Sequence, residues 1–295
     1  MARIGFLACE TTLPSAGEVR RGDAFEHDLM IAALEPALAA LGLELEVIDW
    51  EAPLVAFTGI AAVLLGTAWN YHDKSNAFLD KLDSLANRGI AIHNPPAIVR
   101  WNIAKTYLKE LGTRGAPMIP TLWHDRVSAN EARSAMDALG CDKLVVKRQI
   151  GAGAEGQELL ERGRIGDEWS FEAPAMLQPF LPAITERGEL SFIFIDGALS
   201  HALTKRAQPG DYRIQSIYGG TERPLEPSRA ERKAAEAVLA ALPFAAPLYA
   251  RIDMVAKPDG ALAVMEVELI EPYLYPEQGP GLGEALAAAL ARRMA

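Results

Sequence analysis

The chain has 295 residues, a formal net charge of −10 and 50% hydrophobic residues, enough for two or three subdomains with cores of their own and unlike a disordered or collagen-like chain. An acidic chain without a basic stripe cannot displace the counterions of a phosphate array, which argues against duplex nucleic acid and anionic membranes and for a small-molecule partner. Two cysteines without a Cys-x-x-Cys pair and five scattered histidines exclude a zinc knuckle and a disulfide framework, and with neither a signal peptide nor about 18 consecutive apolar residues the expected compartment is the cytoplasm.

Residues 1–98 alternate strand and helix patterns, the signature of an α/β unit with a mostly parallel sheet. ARIGFLA predicts a buried strand, FEHDLMIAALEPALAALG a helix stopped at Gly42, and LELEVIDW and IAAVLLGTAW two more strands. NAFLDKLDSLANRG predicts a second helix, and IAIHNPP a short strand ended by two prolines. Ligands of open α/β sheets bind beyond the carboxyl ends of the strands. Those ends carry Thr11, Thr67, Trp69, Asn70 and Tyr71, candidates for a substrate wall, although each is as readily a loop, capping or core residue.

Residues 99–117 connect this unit to the next. AIVRWNIAKTYLKELGTRG has the spacing of one amphipathic helix ending at a glycine, with Lys105 in its first turns; taken alone, that lysine is a solvated surface charge. Residues 118–177 form a smaller unit: strand MIPTLWH, helix SANEARSAMDALG and strand KLVVKRQI, in which Lys147 follows three apolar residues. The loop holding Gly151, Ala152, Gly153 and Gly156 has G-x-G-x-x-G spacing, but the short polar QELLERGRIGDEWS that follows is no dinucleotide-binding helix. A glycine loop beside a strand lysine better suits a flap laying backbone N–H groups on phosphates, and the absence of G-K-[ST] excludes a P-loop.

In residues 178–295, with AMLQPFLPAI leading in as a strand from 175, ELSFIFIDGALSHALTKR predicts a hairpin about Asp196-Gly197 that delivers Lys205, with Arg213 soon after. SRAERKAAEAVLAALP is a helix, and a last helix starts near Gly281. Between them RIDMVAKPDGALAVMEVE predicts a second hairpin. A two-residue loop at Pro258-Asp259 sets Arg251 opposite Glu266 and Asp253 opposite Val264, with Arg251, Asp253, Glu266 and Glu268 on one face. Three carboxylates and a guanidinium on one face repel and desolvate unless a cation or charged ligand joins them, and oxygen ligands of this kind suit Mg²⁺; the plainer alternative is a hairpin with a wet polar face.

The order Lys105, Lys147, glycine loop, Gln178-Pro179-Phe180-Leu181, Lys205, Arg213, Asp253, Glu266-Val-Glu268 resembles that of the ATP-grasp ligases. Within them it is similar to the glutathione synthetase branch, and NPPAIVRWNIAKTYLKEL, MLQPFLPAITERGELSFIFIDG and RIDM…MEVELIEP look like O-ureido-serine cyclo-ligase-like proteins. The resemblance implies an ATP-grasp fold: an N-terminal parallel α/β domain, a central lid and a C-terminal antiparallel sheet. It implies that Lys105 and Lys147 hold ATP phosphates under the glycine loop, that the backbone of Gln178 and Leu181 meets adenine, and that Glu189 lies near the ribose. Lys205 and Arg213 would line the γ-phosphate pocket, Asp253, Glu266 and Glu268 would bind Mg²⁺, and Arg251 would face the transition state.

Two departures stand out: Ser191 where many relatives have an arginine, and Glu268 where the last metal ligand is commonly Asn. The implied activity is ATP-dependent carboxylate–amine ligation of a small amino-acid-like substrate, including intramolecular ring closure, by a monomer or homodimer. Alternatives are amino-acid addition to a peptide or protein terminus and a nucleotide-binding module without turnover. The substrate is expected between the N-terminal strand ends and the acidic hairpin, near Thr11, Trp69, Tyr71, Arg251, Glu271 and Tyr273.

Overall fold

The computed structural model describes residues 1–151, 156–208 and 219–295. The first sheet consists of β1 (Ala2–Ala8), β2 (Leu43–Asp49), β3 (Ile60–Thr67) and β4 (Ala91–His93), all parallel in the order β2-β1-β3-β4. Because strand side chains alternate, Ile4, Phe6, Ala62 and Leu64 point to α1 (Phe25–Ala40) and the C-terminal helix, whereas Leu7, Val63 and Leu65 point to α2 (Ser75–Ala86). Helix α1 ends before Gly42, whose φ of 71° is the left-handed conformation a glycine admits without strain.

The segment expected as one helix is two: α3 (Pro96–Asn102) and α4 (Tyr107–Thr113). The break falls at Lys105, whose backbone N–H donates to the Gln149 carbonyl at 2.7 Å, across to the next unit, instead of continuing a helical ladder. That unit contains β5 (Leu122–His124), β6 (Val127–Ser128), α5 (Ala129–Leu139), β7 (Lys143–Arg148), β8 (Gln157–Glu161), β9 (Ser170–Phe171) and β10 (Ala175–Pro179), with the antiparallel sheet order β5-β10-β7-β8. A capping box between Ser128 and Glu131 starts α5. Strand β8, where a dinucleotide-binding helix would have to begin, bears out the rejection of that fingerprint. The strand expected over 175–184 stops at Pro179 and turns into the single-turn α6 (Ala183–Glu186).

The last sheet is antiparallel, ordered β13-β12-β11-β14-β15, from β11 (Glu189–Ile195), β12 (Ala198–Arg206), β13 (Thr221–Leu225), β14 (Tyr249–Ala256) and β15 (Leu262–Glu268). Asp196 and Gly197, both at positive φ, make the tight turn between β11 and β12. One face of this sheet (Leu190, Phe192, Phe194, Ile252, Met254) packs on α4 and α7 (Arg229–Ala240). The other splits: Ile193, Ile195 and Tyr249 pack on the first sheet's helices, including α8 (Leu282–Met294), while Glu189, Ser191, Lys205, Arg251 and Asp253 share its remaining part.

The hairpin register differs from the expected one by two residues. Lys257 N–H bonds the Ala261 carbonyl around a three-residue loop whose Gly260 has φ 82°, which adds one residue; a bulge past Asp253 adds another. A slip of one would have turned Glu266 and Glu268 to the other face, but the bulge returns them, so Arg251 faces Glu268 and Asp253 faces Glu266.

Strand β15 is an edge, and side chains cover it. Tyr107 Oη donates to the Val267 carbonyl at 2.9 Å and accepts from Val267 N–H at 2.8 Å; Asn102 donates to the same carbonyl at 2.8 Å and accepts from Leu269 N–H at 2.9 Å. Asn94 likewise joins the first sheet's end to Leu248, Tyr249 and Leu269 through three buried hydrogen bonds. Asn102→Ala should lower stability by about 1–3 kcal/mol, since it orphans the buried Leu269 N–H while Tyr107 still serves the Val267 carbonyl, with chemical denaturation as the measurement.

Candidate active site

A cavity of about 580 Å³ lies where the three sheets meet. Its apolar end is built by Ile119, Val145, Phe180, Ile184, Val255 and Met265, beside the chain segment Gln178 to Leu181 that leaves the central sheet. Gln178 is buried and its side-chain amide is tied to Thr121 Oγ1 at 3.0 Å.

Next along the wall stand Lys105 and Lys147. Lys105 Nζ lies 2.7 Å from Glu266 and donates to the Gly151 carbonyl at 2.7 Å, so the lysine that interrupts the helix ties the base of the glycine loop to the acidic strand. Burial pushes its pKa down, but Glu266 outweighs that and holds it above its ordinary value. Lys147 makes no ion pair among the described residues; burial lowers its pKa, with Glu266 opposing. Gly151 lines the cavity, and Gly156 sits at φ 64°, a backbone conformation that strains residues with a Cβ. Ala152, Gly153 and Arg213, expected to be functional, lie outside the described residues.

The polar centre is a buried network of charges. Lys205 pairs with Glu189 and, at 3.3 Å, with Asp253 Oδ1; Ser191 Oγ donates to the same oxygen at 2.5 Å. Arg251 donates through Nε to Asp253 Oδ2 at 3.0 Å, through Nη1 to the Tyr273 carbonyl at 3.1 Å, and through Nη2 to Glu268. The ring of Tyr275 lies 5.6 Å from Lys205 Nζ and 5.7 Å from the Arg251 guanidinium. Burial pushes the Asp253 carboxyl up, but Arg251 and Lys205 outweigh it and hold it below its ordinary value. Burial raises Glu189 and Glu268 to about 7 each, against the pull of Lys205 and Arg251 respectively. Glu271 is raised well above the usual range, first by burial and then by Glu268.

A carboxyl whose folded pKa lies above its unfolded one costs stability above the folded value, and that cost disappears as pH falls to the unfolded value. Hence the stability of Glu189→Gln to chemical denaturation should gain on that of the unaltered protein as pH rises from about 4.5 to 7 and stay level above, by about 2–4 kcal/mol in all. A difference independent of pH would contradict the upward shift that burial gives Glu189.

Thr11, Trp69, Asn70, Tyr71 and Glu271 all reach the cavity from the strand ends and the segment after β15. Asn70 is engaged at its own strand end, accepting from Trp50 Nε1 at 2.6 Å, and Tyr71 packs on Phe78. Thr67 does not line the cavity: its hydroxyl is buried 2.6 Å from His27 Nδ1. Sequence reasoning passed over the loop after β1, where the Arg21 guanidinium lies 4.9 Å from the Trp69 ring centroid and pairs with Asp23 at 2.9 Å, both on the cavity wall. The signal was there, since Arg21, Asp23 and Glu26 follow a strand end where ligands bind. Among the described residues no helix is long and apolar enough to cross a membrane.

A family model described as the N-terminal domain of D-cycloserine synthetase DcsG matches residues 4–94. The cycloserine biosynthesis protein DcsG of Streptomyces lavendulae is 28% identical over 278 residues, 84% of this chain and 88% of that one. The crystal structure of D-cycloserine synthetase DcsG superimposes with a TM-score of 0.82 over 100% of both chains at 24% identity. The ATP-grasp ligase PsnB, solved with Mg and ADP, gives a TM-score of 0.67 over 99% of this chain and 98% of that one at 19% identity. The chain has the fold of an ATP-grasp ligase. The expected architecture of an ATP-grasp fold, parallel sheet first, then two antiparallel sheets, is thus borne out.

Proposed function

We propose that this protein is a Mg²⁺- and ATP-dependent carboxylate–amine ligase acting on a small amino-acid-like substrate. The observation that carries the proposal is the grouping of Lys105, Lys147, Lys205 and Arg251 around one cavity whose other end is apolar. An apolar slot suits a flat base, and Lys147, without an ion-paired carboxylate among the described residues, suits a phosphate. The donors for a cation are oxygens only. Glu266 and Glu268 each give one carboxylate oxygen to a neighbouring cation, which fits Mg²⁺, an ion that takes one or two carboxylates and completes its shell with phosphates. Bound there, Mg²⁺ would neutralise charge on the phosphates.

In this reading a substrate carboxylate oxygen attacks the γ-phosphorus and ADP leaves. An amine nitrogen then attacks the acyl carbon, loses a proton and expels phosphate. Lys205 and Arg251 face the developing charge, held in place beforehand by buried partners. Arg213, Ala152 and Gly153 remain part of the proposal as γ-phosphate and flap residues. Thr11, Trp69, Arg21, Asp23 and Glu271 bound the substrate end. Similarity to the cycloserine protein along most of both chains supports ring closure within one substrate.

The test is release of ADP and phosphate from Mg-ATP across amino acids, ureido amino acids and dipeptide precursors, with product masses recorded. Release that depends on one carboxylate, with a product lighter by one water, supports the ligase and names its substrate. Tight Mg-ATP binding without release for any of them would speak for a macromolecular acceptor or a non-catalytic module.

A further inference from the structure

Most of the charges on the cavity wall are paired within the protein: Lys105 with Glu266, Lys205 with Glu189 and Asp253, Arg251 with Asp253 and Glu268, and Arg21 with Asp23. Glu271 differs. Its side chain lines the cavity, and no side chain among the described residues pairs with it. Burial, and after it Glu268, raise the carboxyl well above its usual range, so its charge has little support from the protein. The backbone around it, by contrast, is tied down. The Ile270 carbonyl accepts from Tyr249 Oη at 2.8 Å, the Glu271 carbonyl from Trp69 Nε1 at 3.0 Å, and the Tyr273 carbonyl from Arg251 Nη1 at 3.1 Å. Pro272, between them, has its φ fixed by the ring.

We infer that Glu271 is the receptor for an ammonium group of the substrate, which is therefore an amino acid or short peptide with a free amino group and not a simple or N-capped carboxylic acid. The inference rests on the ligase reading. A carboxyl carried on a backbone already fixed at three carbonyls needs little further ordering when a ligand arrives. Trp69, Tyr71 and Tyr273 share this end of the wall, and aromatic faces beside a carboxylate suit an organic cation better than a metal ion that keeps its water. With its ammonium held at Glu271, the substrate leaves its own carboxylate to the cationic side of the cavity, where Lys205 and Arg251 stand.

The experiment is calorimetric titration of the full-length protein, with Mg-ADP bound, by serine, O-ureidoserine and alanylalanine in both configurations. Each is paired with the counterpart that carries hydrogen in place of the amino group. The unaltered protein should bind at least one amino compound about tenfold or more tightly than its deamino counterpart. Glu271→Gln should abolish that preference, weakening the amino compound about tenfold, the deamino compound by no more than about twofold and Mg-ADP by no more than about threefold. Equal weakening of both compounds, a preference that survives the substitution, or loss of Mg-ADP affinity overturns the inference and leaves the ligase reading standing. Should Glu271→Gln fail to fold by circular dichroism, Glu271→Met, uncharged and of similar volume, is read by the same outcomes. If none of the compounds binds although Mg-ADP does, the reading of a small amino-acid-like substrate fails, and this inference with it.

Discussion

Lys147→Ala is expected to weaken ATP binding by about 10- to 150-fold in calorimetric titration, the range given by losing 1.5–3 kcal/mol of charge-assisted hydrogen bonding. Lys233→Ala, on the exposed face of α7, should change it less than twofold. The difference follows from what each ammonium has for company. Lys147 extends from β7 into the cavity beside Lys105, without a carboxylate bonded to it among the described residues, and its burial already disfavours the charge it carries. On the proposed reading a bound phosphate would supply its counter-charge. Lys109 would be a poorer control, because its Nζ lies 4.8 Å from the Trp123 ring centroid. Equal weakening by Lys147→Ala and Lys233→Ala would remove the phosphate role.

How much of this was legible in the sequence depended on the range of the interactions. Alternation and capping are local, so ARIGFLA, IAAVLLGTAW and the Ser128 and Ser228 helix starts were predictable from neighbours a few residues away. The acidic hairpin's face was also predictable, but not its register. The three-residue loop at Pro258 to Gly260 and the bulge near Glu266 each shift pairing by one, and the two shifts cancel as to face while moving Arg251 from opposite Glu266 to opposite Glu268. The helix break at Lys105 was hidden because its cause, the Gln149 carbonyl, is 44 positions further along the chain. Asn102 and Tyr107 gave no local sign that they complete the edge of β15, some 160 residues away. Ser191 was noticed as a departure; that its hydroxyl would bond Asp253 required the pairing of β11 with β14.

Arg251→Ala should abolish ligation, with turnover down roughly 1000-fold, and should also destabilise the protein by about 3–5 kcal/mol, because it leaves buried carboxylates without their shared cation. In a chain of this size that corresponds to a melting temperature lower by roughly 5–8 °C. Arg251 bonds both arms of the acidic hairpin and the segment after it: Asp253 on β14, Glu268 on β15 and the Tyr273 carbonyl. A guanidinium reaches all of these because its donors point along fixed, divergent directions. Arg251→Lys keeps the charge but not the fork, so it should recover part of the melting temperature and little of the turnover. Differential scanning fluorimetry and ADP release on the same three proteins separate the two effects. If Arg251→Lys restored turnover as fully as stability, the fork geometry would be incidental and charge alone would account for the residue.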